Sequence, residues 1–482
     1  MAYEGLLPDG VLVGGEWRTT DARFDDVDPS TEEVFATAPD GAVADMAAAV
    51  GAARQAFDDG DWSRRSPEER AKCLVQLADA LTARADGFAA LGAAEWGMTA
   101  NERSLQIDVA SFHASDAADN AAEALTDEDL GKPDWGISCQ GMRAPLGVVA
   151  AITPWNFPHT INVQKLAPAL TAGNTLVLKP SPLSPLAALA LAKVVHEDTD
   201  IPPGVVNVVP TTSQAAAEVL TTDPRVDMVT FVGSAATARH VGAAAAQTLK
   251  RTLFELGGKS AALFLDDFDL DRLSPQTVLD SCTLHAGQAC ILHSRLVVHD
   301  RIYDEFVDRF AELAAAVRVG PASDPASEMG PLIDAAARDR VELTVARAFS
   351  QGARLVTGGG RPEGLDRGYF FQPTVLADVD NAWPIAQEEV FGPVTCVIRA
   401  DDDADAVRIA NDSPYGLVGT VFSADRERAL AVARQVDAGV VTVDGAPPFG
   451  PFGGWKQSGI GREGGAWGIR SYTELRSVTA FG

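Results

Sequence analysis

An α/β fold with two α/β units is predicted by three features of the 482-residue chain. Short β-rich runs alternate with helical runs from Gly147 to about Val443. Those runs are apolar throughout rather than at every second residue, as in strands buried on both faces of a parallel sheet. The length is also more than one hydrophobic core usually serves. Sheets of this kind take ligands at the carboxyl ends of their strands.

Taken in order, residues 44–124 are Ala-rich with helical spacing, as in A-K-C-L-V-Q-L-A-D-A-L from Ala71. Ser66-Pro67-Glu68-Glu69 reads as a helix start, with a capping serine, proline in the first turn and acids near the positive end of the dipole. Strands are then predicted at V-V-A-A-I-T from Val148, T-L-V-L-K from Thr175, V-V-N-V-V from Val205, M-V-T-F-V from Met228 and R-T-L-F-E from Arg251. Helices are predicted at Pro185 to His196 behind Ser184, and at Gln214 to Leu220 behind Ser213. A second alternating region starts at S-A-A-L-F-L from Ser260, with strands at R-L-V-V-H from Arg295 and P-V-T-C-V-I from Pro393. The tail S-Y-T-E-L-R-S-V-T-A-F alternates like a strand, and an isolated strand needs a partner sheet, here expected from another subunit.

Composition narrows the function classes. Net charge is −28, from 39 basic and 67 acidic residues, which speaks against a nucleic-acid or anionic-membrane partner. No apolar run approaches the roughly 20 residues that span a bilayer. The start M-A-Y-E-G-L-L-P-D-G lacks a basic stretch followed by an apolar one. Five scattered cysteines fit a reducing compartment better than a disulfide framework, so a cytoplasmic location is expected.

The candidate chemistry centres on Cys290. With Cys282, His285 and His293 it forms a C-x2-H-x4-C-x2-H array. The two pairs are closer than the usual zinc-finger loop, and no carboxylate lies between them, so no metal site is assigned. Cys290 reads instead as a thiol nucleophile, with Gly287 permitting a close backbone approach. Asn156, in P-W-N-F-P after a strand, can donate to an oxyanion or simply serve a turn. Lys179, in L-K-P-S, can meet a ribose or phosphate or lie on the surface. Gly233 and Ser234, in F-V-G-S, open a helix suited to a diphosphate, although G-x-G-x-x-G is absent. Glu255 precedes a Gly-Gly turn and is either a general base or a solvated cap.

In this order the stretches resemble the NAD(P)-dependent aldehyde dehydrogenase superfamily, along nearly the whole chain. Further matches are E-E-V-F-G-P from Glu388, P-F-G-G-W-K-Q-S-G-I-G-R-E from Pro451, and Y-T-E near the end. The resemblance implies a Rossmann-like cofactor domain at 1–126 and 146–256, a catalytic domain at 257–456, and small β oligomerisation elements at 127–145 and 457–482. It also implies aldehyde oxidation to a carboxylic acid through a Cys290 thiohemiacetal and thioester. Asn156 and the Cys290 N–H would hold the oxyanion, and Glu255 would activate water. Thr153, Trp155, Lys179, Gly233, Ser234, Glu389 and Phe391 would bind NAD, with NADP not excluded. Lys165 and Glu463 would handle protons near the base. Glu474 would pair across a subunit interface with Arg251 and Arg462 in a homodimer or homotetramer. Phe157, His159, Ile161, Gln164, Ile291, Phe449 and Phe452 would border the small-molecule aldehyde's path.

Several positions depart from the family pattern. Pro182 stands where a glutamate often binds the adenosine ribose, and Thr211-Thr212-Ser213 stands where Gly-x-Gly is common. Ala238 replaces a glycine, Asp444 an asparagine, and His285 the asparagine usual five residues before the cysteine. Two rival readings stand beside the hydrolytic one. A CoA-acylating semialdehyde dehydrogenase tends to lack the base that Glu255 supplies. A catalytically idle structural homologue would not need the complete Cys290, Glu255 and Asn156 set.

Overall fold

The computed structural model describes residues 3–445 and 450–481. Its first sheet has eight strands, and its parallel centre is made from the five predicted apolar runs. In space these lie as Val206–Val208, Thr175–Lys179, Val148–Ile152, Met228–Gly233 and Arg251–Leu256. Val148–Ile152 comes first in sequence, and the next strands add to one side of it before the chain crosses to the other. The reversal places a crevice between Val148–Ile152 and Met228–Gly233, at their carboxyl ends, where open α/β sheets take ligands. Val11–Val13 and Glu16–Arg18 extend one edge antiparallel, and Gly459–Ile460 closes the other against Phe254 and Glu255.

Helices cover both faces. Ser66 and Glu69 exchange side-chain-to-backbone hydrogen bonds of 3.3 and 2.8 Å and start the helix Pro67–Ala83. Ser213 accepts from Ala216 N at 3.2 Å and starts Gln214–Thr222. Ser184 makes no side-chain capping bond ahead of Pro185–Asp198. The buried Glu95 carboxylate takes that place, accepting from the N–H groups of Leu186 and Ala187. This cap comes from a residue 91 positions away, so no local pattern announces it.

The second sheet runs Arg354–Thr357, Thr374–Ala377, Val394–Ala400, Arg295–His299, Ala261–Phe264, Val418–Phe422 and Val440–Val443. All its pairs are parallel except the first. The third sheet corrects an expectation. The terminal strand Thr473–Phe481 finds its partner within the same chain, along Ile137–Pro145, and Glu128–Asp129 completes the sheet. Residues 457–482 are also divided, since Gly459–Ile460 belongs to the first sheet and only Thr473–Phe481 to the third. Among the described residues, no helix is long and apolar enough to cross a membrane.

Candidate active site

Strand ends build one wall of a cavity of about 330 Å³. Beyond Ile152 the chain turns through Pro154, Trp155 and Asn156 before the helix Pro158–Thr171. Asn156 is buried, and its Nδ2 donates to Gln288 O at 2.8 Å, leaving one amide hydrogen for another acceptor. Gly233 and Ser234 follow the next strand, and Ser234 Oγ caps the helix Ala235–Ala246 by accepting from Thr237 N. Glu255 sits one strand further, paired to Val232 and Gly459. Its carboxyl group lies against Gly453, where a Cβ would come within 2.9 Å of Oε1.

Turns build the opposite wall. Leu279–Leu292 contains one π-helical turn, then His285, Ala286 and Gly287 at φ of 50°, 52° and 78°. Gly287 is required twice over, because a Cβ there would stand 2.0 Å from the backbone of Gly392. Gln288 is buried and ties the turn together: its Nε2 donates to His285 O at 2.9 Å, and its Oε1 accepts from Ile333 N at 2.9 Å. Cys290 emerges partly exposed into the cavity. Glu389 and Phe391 arrive from a neighbouring loop, and Phe391 packs edge-on against Trp155 at 5.5 Å. Glu389 Oε1 accepts from Gly258 N at 3.2 Å, and a Cβ on Gly257 would lie 2.1 Å from its Oε2. The glycines of F-E-L-G-G are therefore the space that this carboxylate occupies.

The electrostatics favour neutral groups at rest. Burial, then the Glu463 charge, pushes Glu255 up to about 8, against the pull of Lys165 and Arg462. Neither Glu255 oxygen has a hydrogen-bond partner among the described residues. Its neighbour Glu463 is held by a buried ion pair with Lys165. Burial pushes the Cys290 thiol up to about 12, and the Glu389 and Glu255 carboxylates push the same way. Burial also raises Glu389 to about 7.

A model of the aldehyde dehydrogenase family matches residues 17–478. The chain belongs to the aldehyde dehydrogenase family. Geranial dehydrogenase of Castellaniella defragrans is 40% identical over 481 residues, covering 98% of each chain. The chloroplastic betaine aldehyde dehydrogenase of Beta vulgaris is 37% identical over 480 residues, covering 98% of this chain and 96% of the relative. Among solved structures, an aldehyde dehydrogenase of Mycobacterium tuberculosis complexed with NAD+ is similar at a TM-score of 0.94 and 43% identity, over 98% of this chain and 97% of that one. Betaine aldehyde dehydrogenase from Staphylococcus aureus in complex with NAD+ gives 0.95 and 33%, over 100% and 97%.

Within this aldehyde dehydrogenase fold, Trp155, Asn156, Gly233, Ser234, Glu255, Cys290, Glu389 and Phe391 share the cavity. Two predicted cofactor residues are not among its lining. The Thr153 hydroxyl is spent on Asn162 Oδ1 at 2.7 Å. Lys179 ends its strand with Nζ on Pro180 O at 3.0 Å, and burial lowers it to about 8. The four side chains of the Cys-His array separate: Cys282 is buried near Thr374 O, and His293 bonds Thr420 Oγ1 at 2.8 Å. Glu474 pairs with Arg251 at 2.5 Å inside the chain, where a cross-subunit pair was expected. Arg462 donates to Gly461 O and Gly454 O.

Of the residues expected to border the aldehyde's path, Phe157, Ile161 and Ile291 pack with Leu284, Ala289 and Leu292 in one apolar cluster. His159 does not join them; it is buried and stacked on Phe88 at 3.9 Å. Phe449 lies outside the described residues. Arg340, from the helix Ala335–Ser350, lines the cavity and draws the Glu389 pKa down, which no motif announced. Glu102, whose carboxylate accepts from His285 N at 2.5 Å, was equally silent in the sequence. Thr212 bonds Asp40 through both its N–H and its hydroxyl, so the Thr-Thr-Ser stretch is tied to the end of the distant strand Glu33–Asp40.

Proposed function

We propose that the chain oxidises an aldehyde to a carboxylic acid with NAD+, by way of a covalent Cys290 adduct. The observation carrying this reading is one cavity lined by a thiol, an amide donor and an unpaired carboxyl group, beside a helix N-terminus and Glu389. The cavity and its border fit a dinucleotide: Ser234 opens a 12-residue helix whose N–H groups attract a diphosphate, Glu389 faces the same space, and Lys179, outside the lining at the end of the neighbouring strand, has donors to spare. NAD+, when bound, supplies the hydride acceptor and a positive charge near the thiol.

The remaining work falls to side chains. The partly exposed Cys290 thiol releases its proton to solvent, and the thiolate attacks the carbonyl carbon, forming the C–S bond and an oxyanion. The free amide hydrogen of Asn156 and the Cys290 N–H hold that oxyanion, each such donor being worth roughly 10²–10³ in rate. Loss of hydride leaves a thioester on Cys290. Glu255 then takes a proton from water, the hydroxide adds to the thioester carbon, and the thiolate leaves as the acid forms. A base near 8 suits this task at neutral to mildly alkaline pH. The Lys165–Glu463 pair stands next to Glu255 and provides an exit for its proton.

Five free thiols support a reducing, cytoplasmic setting. Leu475, Val478 and Phe481 are exposed on the third sheet, and we assign that sheet to a homodimer or homotetramer contact. Absorbance of NADH with a panel of aldehydes tests the reaction, with NAD+ or NADP+ and with or without coenzyme A. Turnover without coenzyme A is expected. Turnover only with coenzyme A would replace the hydrolytic reading by the acylating one, and none under any condition would leave an idle homologue.

A further inference from the structure

His285 breaks two local rules at once. It adopts φ 50° and ψ 45°, a left-handed conformation that few residues with a side chain take, although histidine enters it more readily than most. It also buries both ring nitrogens without a hydrogen-bond partner among the described residues. Each feature costs stability, and violations of this kind concentrate where function compensates for them.

The surroundings identify the compensation. The ring centroid lies 6.1 Å from that of Trp155 and 5.8 Å from that of Phe157, with interplanar angles of 57° and 67°. Those two aromatic residues flank Asn156 in the chain. The backbone of His285 is fixed on both sides, its N–H by Glu102 Oε1 at 2.5 Å and its carbonyl by Gln288 Nε2 at 2.9 Å. The Gln288 carbonyl in turn accepts from Asn156 Nδ2 at 2.8 Å. Side chain and main chain of His285 thus converge on Asn156 by separate routes. Burial lowers the imidazole to about 3, and Glu102 Oε2 stands 3.9 Å from Nδ1, so the ring contributes shape rather than charge. It is not among the residues that line the cavity.

We infer that His285 is a positioning residue, whose imidazole wedges the Trp155–Asn156–Phe157 turn and thereby aims the Asn156 amide at the oxyanion formed on Cys290. The inference rests on Asn156 acting as the oxyanion donor. A ring removed from this place leaves the amide free to shift by a fraction of an ångström to an ångström, and displacements of that size cost up to about 10²-fold in rate. The His285 ring packs on Trp155, itself a predicted cofactor residue, so NAD+ affinity moves with it, whereas the acidity of the thiol should not.

The test is the single-turnover burst of NADH with saturating aldehyde. With saturating NAD+, His285→Ala is expected to slow it by roughly 10- to 100-fold, with the pH profile of Cys290 alkylation by iodoacetamide unchanged. His285→Phe restores the ring and is expected to recover most of the rate. His285→Ala combined with Asn156→Ala is expected to be no slower than Asn156→Ala alone. An unchanged burst in His285→Ala, a slow His285→Phe, or additive losses in the double variant would overturn the wedge. A shifted alkylation profile would overturn it too, because His285 would then act on the thiol itself. Should His285→Ala not fold, His285→Asn, which suits the positive φ, takes its place in the same comparison. Asn156→Ala with a normal burst would remove the oxyanion reading and the wedge together, whereas a slow Asn156→Ala with additive losses removes the wedge alone.

Discussion

Asn156 and Glu255 reach the cavity from the ends of hydrogen-bonded strands, whereas Cys290 reaches it from a loop held by side chains. On the first wall the accuracy comes from register: Val148–Ile152, Met228–Gly233 and Arg251–Leu256 are paired along their length, so their ends fall in line. On the second wall three successive residues have positive φ, and one buried glutamine bridges three backbone groups. The strand wall distributes its precision over many equivalent bonds. The loop wall concentrates it in a few, so single substitutions there should act more sharply.

The largest effect should separate the two cysteines of that loop. Burial puts both at about 12, so resting acidity does not distinguish them. Access does: Cys290 opens to the cavity, and Cys282 is fully buried. Cys290→Ser should lower turnover by on the order of 10⁴-fold or more, as loss of a covalent nucleophile does, while Cys282→Ser keeps most of it. Comparable losses from both, measured as steady-state NADH formation, would remove the nucleophile assignment.

On the strand wall, Glu255→Gln should leave the first-turnover burst of NADH and slow the steady state by roughly 10²–10⁴-fold. The wild-type steady-state rate should rise with pH through about 8, because the base must be ionised and burial holds its carboxyl group protonated below that value. The sign is fixed by the role: a general acid would give the opposite slope. The glutamine variant should lose this limb, and a variant that retained it would show that another group titrates.

The same contrast explains what could be read in the sequence. Apolar runs such as V-V-A-A-I-T and M-V-T-F-V announce parallel strands through local composition, and their ends locate Asn156 and Gly233 without further help. On the loop wall, local reading reached Cys290 and Gly287, and Glu389 and Phe391 came from motif resemblance. Nothing local to Arg340 or Glu102 marks them, because their relation to the cavity passes through contacts 49 and 183 residues away in sequence, to Glu389 and His285. The terminal strand was legible as a strand but not by partner, since pairing of Thr473–Phe481 with Ile137–Pro145 spans most of the chain. The Glu474–Arg251 ion pair inherits the same ambiguity: pairing inside or between chains gives one sequence signal.

Gly287→Ala tests how narrow the loop wall is. The new methyl group would meet the Gly392 carbonyl at 2.0 Å, and the residue would keep a positive φ. A cost of about 2–4 kcal/mol is expected from overpacking and backbone strain together. Thermal unfolding should report a lower Tm, and the burst should slow as Cys290 shifts. A variant with wild-type Tm and burst would mean that the loop adapts, and the contrast between the walls would weaken.

The smallest effect lies farthest from the chemistry, on the strand wall. Pro182 is exposed and occupies the second position of the Ser181–Ser184 turn, where Ser184 N bonds Ser181 O at 3.2 Å. Proline offers a ribose no acceptor and a 2′-phosphate no repulsion, so the wild type should use NAD+ and NADP+ with kcat/KM within about tenfold of each other. Pro182→Glu keeps a residue the turn accepts and adds a carboxylate three positions beyond Lys179. It should shift the ratio towards NAD+ by roughly tenfold, about the worth of one charged hydrogen bond, with kcat unchanged because the thiol and base are untouched. An unmoved ratio would place the adenosine ribose elsewhere, against the Thr212–Asp40 loop instead.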